Sequence, residues 1–246
     1  MKLLRPAALL LLFGLVLVGE ADATETDPLW QKAVAIGAKH WGLIPKTMHE
    51  HEKVYTEEGK LKRVTISDYE TYRDEDGKVR AKLLKCVRDG KDATETKQRE
   101  IDESMKRRPQ DRELFKKRND LFQPENQDRV RVERINIPRK IHGRDTVAFD
   151  YSMRGEEATM NGVVWLDAET GTPYHVVTRP DRFPENESFK IHEATLEFLF
   201  NDPSKEDGMW HVETMKVRSK IEIDIFLFFT FKGRVSAEVT LQDFHR

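Results

Sequence analysis

The apolar and polar positions of this chain repeat with two different periods, and the change of period divides the sequence into elements. At residues 29–41 apolar residues return every three to four positions, which predicts an amphipathic helix. Asp27 and Pro28 fit the N-cap and first turn of this helix, and Pro45 limits its far end. The predicted buried face consists of Trp30, Val34, Gly37, Ala38 and Trp41.

From Thr47 onward the helical period is lost, and stretches rich in β-branched and aromatic residues follow one another. Short separators such as Asp89-Gly90 and residues 74–77 are typical of hairpin turns. Strands joined this closely must reverse direction, so the sequence predicts an antiparallel meander. The predicted strands are residues 53–56, 60–73, 78–88, 129–137, 145–153, 160–167, 173–179, 189–201, 210–225 and 230–244.

Residues 94–122 interrupt this series of strands with a helical insertion. Residues 92–95 resemble a capping box, and Pro109 separates the first helical piece from a second one at residues 111–122. Charges of both signs alternate throughout, which favours a solvated helical face with a thin apolar stripe. A mobile lid over a cavity and a basic nucleic-acid surface are the alternative interpretations of this insertion.

Several predicted strands are apolar on both faces, whereas a sheet that packs on one side only should alternate. Residues 163–166, 196–200 and 221–231 show this pattern. At least part of the sheet is therefore expected to be covered on both sides. The helices, barrel closure, a second sheet or an apolar ligand could supply the cover. The densest apolar stretch, residues 226–231, fits either a structural core or a surface that lines a ligand.

Residues 1–23 are typical of a secretory signal. Lys2 and Arg5 precede an apolar run at residues 7–18, and small residues follow at the expected cleavage position. The run is too short for a membrane span. Residues 24–246 are therefore expected to form a single exported β-rich domain that carries the helical insertion.

Charged residues make up 35% of the chain, but the formal net charge is only −2, which disfavours capture of a polyanion such as nucleic acid. Cys86 is the single cysteine, so an intrachain disulfide is excluded. A buried core thiol is the simplest interpretation of Cys86, and an intermolecular disulfide is the alternative. No run after the signal is long and apolar enough to be a membrane helix, so the mature protein is expected to be soluble.

The chain carries no common sequence motif for catalysis or metal binding. It contains no G-x-S-x-G, P-loop, G-x-G-x-x-G or H-E-x-x-H motif. His49 and His51 would share one face of a strand, but two ligands are too few for a metal site. Residues 74–77 fit a hairpin turn better than a calcium loop. The sequence therefore predicts neither a catalytic residue nor a metal or cofactor.

The second half of the chain carries the features of a known family. An apolar strand, the turn Asp167-Ala-Glu-Thr-Gly171 and another strand are followed by a strand that opens at Trp210 and by a closing strand that ends at Phe244. This order of elements resembles that of bacterial outer-membrane lipoprotein-sorting proteins and their relatives. The resemblance implies an α+β, mainly antiparallel fold: a half-open β-barrel of about 9–11 strands wrapped round helices, with an apolar cavity between them.

In the best-known members of that family the cavity carries the acyl chains of a lipoprotein across the periplasm. The resemblance therefore implies a periplasmic carrier for a lipid, an acyl chain or another apolar ligand, without catalysis. Relatives also include envelope-stress regulators, so an envelope protein that binds partners through residues 94–122 is the alternative, and a hydrolase is a third hypothesis. The candidate pocket residues are Trp165, Phe198, Phe200, Phe226, Phe228 and Phe229.

Overall fold

The computed structural model describes residues 27–107, 120–155, 158–183, 189–205, 208–224 and 230–245. Helix α1 spans Pro28–His40, close to the bounds that the apolar period predicts. The Asp27 carboxylate accepts a hydrogen bond from the Leu29 amide at 2.8 Å, and Pro28 occupies the first turn. The cap and the proline together explain why the helix begins here.

The buried face of α1 consists of Trp30, Ala33 and Gly37, with Val34 half-buried beside them. The prediction that Ala38 belongs to this face is wrong, because Ala38 is exposed. At 3.6 residues per turn, Ala38 lies about 80° round the helix from Trp30, at the edge of the apolar stripe. Ala33 takes its place on the other side of the stripe.

Eleven strands follow α1 in the described parts of the chain. Helix α2 (Thr94–Arg107) and a 3-10 helix (Pro124–Arg129) lie between the fourth and fifth strands. The strands are β1 (Ile44–Thr56), β2 (Leu61–Arg73), β3 (Val79–Arg88), β4 (Lys91–Asp92), β5 (Val130–Ile141), β6 (Arg144–Arg154), β7 (Thr159–Asp167), β8 (Pro173–Pro180), β9 (Phe189–Phe200), β10 (Val212–Asp224) and β11 (Thr230–His245).

All eleven strands form one antiparallel sheet in the order β4-β3-β2-β1-β11-β10-β9-β8-β7-β6-β5. Consecutive strands pair within each half, from β1 to β4 and from β5 to β11, and the halves join at the middle, where β1 pairs with β11. The sheet is not closed, because β4 and β5 remain its two edges. This arrangement confirms the predicted fold class, a mainly antiparallel, incomplete barrel with helices.

Strand β1 begins nine positions earlier than predicted, at Ile44 instead of residue 53. The prediction was wrong because Glu50 and Glu52 alternate with His49 and His51, so no apolar period marks the strand. Pairing on both sides defines it instead, since β1 has β2 on one side and β11 on the other. Tertiary context therefore overrides the local pattern here.

The predicted helical insertion is present in its first part, as α2, which begins just after Asp92. The Asp92 carboxylate accepts a hydrogen bond from the Thr94 amide at 2.9 Å. The second predicted piece, residues 111–122, lies outside the described residues as far as position 119. Its last residues, Leu121 and Phe122, form a turn and not a helix, because the Asp120 side chain accepts a hydrogen bond from the Phe122 amide.

The core lies between α1 and strands β6 to β9. The Trp30 ring packs 5.7 Å from the ring of Phe122 and 5.8 Å from that of Phe149. The Trp30 indole nitrogen donates a hydrogen bond to the Gln127 side chain at 2.9 Å. The segment that carries Phe122 and Gln127 therefore closes the core from the side opposite the sheet.

The turn between β7 and β8 holds the start of α1. Asp167 accepts hydrogen bonds from the amides of Glu169 and Thr170 at 3.0 and 2.8 Å, which fixes the turn. Gly171 has a φ of 74°, and a Cβ there would lie 2.8 Å from the Leu29 carbonyl oxygen. Lys32 of α1 donates to the Glu169 carbonyl at 3.0 Å. The hairpin turn thus packs closely on the helix.

Candidate functional site

One face of the sheet carries both helices, and the strand register identifies its residues. Paired residues on neighbouring antiparallel strands point to the same face. Phe149 contacts Trp30 of α1, so every residue in register with Phe149 lies on the face that carries α1, which we call the inner face. That row across the sheet is Phe149, Val164, Val176, Phe198, Met215, Val239, Glu50, Ser67 and Cys86.

A second row of inner-face residues runs parallel to the first, two positions along each strand. It ends at Arg88 of β3, whose guanidinium donates to both carboxylate oxygens of Glu100 in α2, at 3.0 and 2.8 Å. Helix α2 is therefore held at the β3 end of the inner face, as α1 is at the β7 end. The second row is Tyr151, Gly162, Thr178, Leu196, Val217, Ala237, Glu52, Thr65 and Arg88.

Six apolar side chains on β9, β10 and β11 occupy the inner face between the two helices. All six are half-buried. Helix α1 packs against β7, and helix α2 packs against β3. Strands β9, β10 and β11 lie between β3 and β7 in the sheet. The six residues, which we call the apolar floor, are Leu196, Phe198, Met215, Val217, Ala237 and Val239.

The outer face of the same strands is polar except at Leu199 of β9. Along β11, Glu238 and Thr240 alternate with the floor residues Ala237 and Val239. Strands β9 and β10 place Thr195, Glu197, Lys216 and Arg218 in the same way. This alternation is typical of a sheet with one face out of water, so the apolar floor behaves as an interior surface.

The inner face becomes polar at the end covered by α2. Tyr69 donates to Glu50 at 3.0 Å, and Arg63 donates to Glu52 at 3.1 Å. Burial, and then the negative charge of Glu50, raise the pKa of Tyr69, so the phenol keeps its proton. The hydrogen bond from Arg88 lowers the pKa of Glu100. We call this group the polar wall: Glu50, Glu52, Arg63, Thr65, Tyr69 and Arg88.

The structure brings only part of the predicted pocket together. Phe198 belongs to the apolar floor, and Phe200 lies farther along β9 in the core, where its ring stacks on Trp210 at 4.6 Å. Trp165 lies on the outer face, because its neighbours Val164 and Leu166 point to α1. Ligand contact by these residues stays a prediction. The other three candidates, Phe226, Phe228 and Phe229, lie outside the described residues.

The outer face carries a cluster of titratable groups around the buried His175 that sequence reasoning missed. The His175 ring stacks on Trp165 at 4.9 Å, accepts a hydrogen bond at Nδ1 from Arg139 at 2.7 Å, and donates from Nε2 to Glu197 at 2.8 Å. Arg218 also binds Glu197, at 3.5 Å. The turn at residues 167–171 sets the register of the hairpin, and that register could have placed His175 opposite Trp165.

The His175 cluster makes stability depend on pH. Burial and the charge of Arg139, with a smaller contribution from the charge of Lys216, lower the pKa of His175. The charge and the hydrogen bond of Glu197 act in the opposite direction. Below about pH 6.5 the unfolded chain therefore binds a proton at this histidine that the folded chain does not bind. The free energy of unfolding consequently decreases as the pH is lowered, by up to about 1.4 kcal/mol per pH unit. We expect His175→Gln to flatten this slope between pH 6.5 and 5, measured by urea unfolding.

Above pH 7.5 histidine is neutral in both states, so the wild-type and His175→Gln curves should run parallel there whatever their offset. Parallel curves below pH 6.5 as well would contradict the assigned role of His175. Lowered carboxylate pKa values, such as that of Asp167, act in a more acidic range and leave this comparison intact.

The histidine pair on β1 is not part of a metal centre in the described structure. His49 pairs with Asp68 at 2.6 Å. Across the described residues, no three His, Cys, Asp or Glu side chains come together as a metal-binding group. The described helices also include none that is both long and apolar enough to cross a membrane.

Comparison with known proteins returns structural likeness only. No family model matches the sequence, and no curated protein matches it. The fold is similar to an outer membrane lipoprotein-sorting protein domain from Vibrio parahaemolyticus, at 12% identity and a TM-score of 0.37, over 88% of this chain and 92% of that one. It is also similar to MucB in its complex with MucA(peri), at 12% identity and a TM-score of 0.23, over 86% of this chain and 93% of that one.

Proposed function

We propose that this chain is an exported binding protein that holds a lipid acyl chain, or another apolar ligand, on its inner face and catalyses no reaction. The observation that carries this proposal is the apolar floor. Six apolar side chains lie half-buried between two helices, on a face whose reverse side is polar. A ligand that covers them removes apolar surface from water, at about 0.8 kcal/mol for each buried methylene.

The proposed location follows from the sequence. The signal at residues 1–23 directs the chain out of the cytoplasm, and a bacterial periplasm is the compartment that the order of elements implies. A carrier in that compartment needs a surface that shields acyl methylenes from water, which the apolar floor would supply. No catalytic group is needed for this task.

A pair of neighbouring substitutions on β11 tests the proposal. Val239→Glu places a carboxylate on the apolar floor, whereas Thr240→Glu places the same group on the outer face. We expect the wild-type mature protein to bind an apolar fluorescent dye, and Val239→Glu to weaken that binding at least about tenfold, because a ligand would desolvate the new charge. Thr240→Glu should bind the dye as the wild type does, measured by fluorescence titration.

Ala237→Phe adds a test that introduces no charge, since the larger ring fills space on the floor and should also weaken dye binding. Circular dichroism checks that each variant is folded. Native mass spectrometry of the protein purified from its own envelope should show a bound lipid mass. Absence of saturable dye binding, with a clean apo mass, would overturn the proposal and favour the alternative that the charged α2 surface contacts an envelope protein.

A further inference from the structure

Three hydrogen-bond donors of the polar wall have no acceptor among the described residues. They are the Nε–H groups of Arg63 and Arg88 and the hydroxyl of Thr65, and all three atoms are buried. Thr65 itself is only 1% exposed. Buried donors in native proteins almost always find a partner, so three in one place indicate an acceptor that the described residues do not provide.

The strand register places these donors together. Thr65 of β2 pairs directly with Arg88 of β3 and with Glu52 of β1. Arg63 lies two residues from Thr65 on the same face and binds Glu52. Glu52 in turn pairs with Ala237 of the apolar floor. The donors therefore adjoin the floor, at the place where the head of a floor-bound chain would lie.

The charges of the polar wall decide which kind of acceptor fits. Arg63 is already paired with Glu52, and Arg88 is paired with Glu100 through two hydrogen bonds. The next inner-face residue on β1, Glu50, adds a further negative charge, and among the described residues its carboxylate accepts a hydrogen bond from the Tyr69 hydroxyl alone. A ligand anion would meet an uncompensated carboxylate, so a neutral oxygen acceptor is favoured.

We propose that Arg63, Thr65 and Arg88 form a polar subsite that binds the carbonyl oxygen of an acyl ester or amide whose chain lies on the apolar floor. This inference rests on the proposed function, because it concerns the head of the same ligand. It narrows the ligand class to neutral acyl esters and amides, and it separates them from free fatty acids and from hydrocarbons without a carbonyl group.

A set of three ligands with the same fourteen-carbon chain tests the subsite: the glycerol monoester, the glycerol monoether and the free acid. We expect the wild-type mature protein to bind the ester about tenfold more tightly than the ether, since the ether lacks the carbonyl acceptor. Thr65→Val keeps the side-chain shape and removes one donor, and it should reduce this preference about fivefold while ether binding stays unchanged. The free acid should bind less tightly than the ester.

Arg88→Lys is the second variant, because lysine keeps the positive charge that faces Glu100 but lacks the Nε–H donor. It should also reduce the preference for the ester, and Thr240→Val on the outer face should not. Equal binding of the ester and the ether by the wild type would overturn the subsite and indicate that water binds these donors. The proposal that the apolar floor binds the ligand chain would be unaffected. Tightest binding of the free acid would overturn the neutral class, and binding of none of the three would overturn the floor itself.

Discussion

Replacing Trp30 by alanine is expected to lower the free energy of unfolding by about 3–5 kcal/mol, the range for truncating a large buried aromatic side chain. Trp30 is 1% exposed and lies between Phe122 and Phe149. Its indole joins α1 both to the sheet and to the segment that carries Gln127. The truncation therefore opens a cavity at the junction of three elements, which urea unfolding should report as a lower midpoint.

Two further tryptophan variants test the contribution of the hydrogen bond to Gln127 and the importance of full burial. Trp30→Phe keeps an aromatic ring but removes the donor to Gln127, so we expect a loss of about 1–2 kcal/mol. Trp41 shares the predicted helix face but is only half-buried just after the end of α1, so Trp41→Ala should cost less than Trp30→Ala. Equal losses for Trp30→Ala and Trp41→Ala would contradict the assignment of Trp30 as the central contact of the core.

Gly37→Ala is expected to destabilise the protein by about 2 kcal/mol, although alanine is the better helix former by about 1 kcal/mol. A Cβ at position 37 would lie 2.4 Å from the Cβ of Phe122 and 2.8 Å from the Phe122 carbonyl oxygen. Neither atom is the end of a flexible side chain, so α1 must shift away from the segment at Phe122. Thermal or urea unfolding of the single variant measures the net effect.

Ala35→Gly is the matched control for Gly37→Ala, because Ala35 lies on the exposed side of the same helix. It should cost about 1 kcal/mol through helix propensity alone. Gly37→Ala and Ala35→Gly change helix propensity in opposite directions, yet both are expected to destabilise the protein. Helix propensity alone cannot explain that result. A stabilised Gly37→Ala protein would show that α1 and the segment at Phe122 are less closely packed than the structure has them.

The sequence predicts most of the strands because glycine-containing turns separate them. Asp89 and Gly90 both have positive φ, as do His142 and Gly143, and such pairs suit two-residue hairpins. The start of β1 escapes prediction, because the inner-face residues Glu50 and Glu52 are polar and remove the apolar alternation. Their side chains are satisfied by Tyr69 and Arg63, which lie on the next strand, β2, and come beside them only once the β1–β2 hairpin has formed.

The candidate site is harder to predict than the fold. Residues 163–166 are apolar on both faces, so the pattern cannot tell that Val164 faces α1 while Trp165 faces outward. The polar wall depends on the register of β2 against β3, which shifts at Asp68 and Tyr69. A shift by one residue moves every following side chain to the other face, so the convergence of Thr65 and Arg88 requires the paired structure.

The pairing of β1 with β11 also governs how the chain can fold. Ile44 lies opposite His245, so the two strands at the middle of the sheet come from opposite ends of the described chain. Hairpins such as β2–β3 or β6–β7 need only local contacts, but joining the two halves requires closure of a very long loop, with a large entropic cost before any pairing is gained. Until β11 is available, β1 has a free edge. The two halves of the sheet can therefore form separately during folding. They become one sheet only when β1, the first strand, pairs with β11, the last.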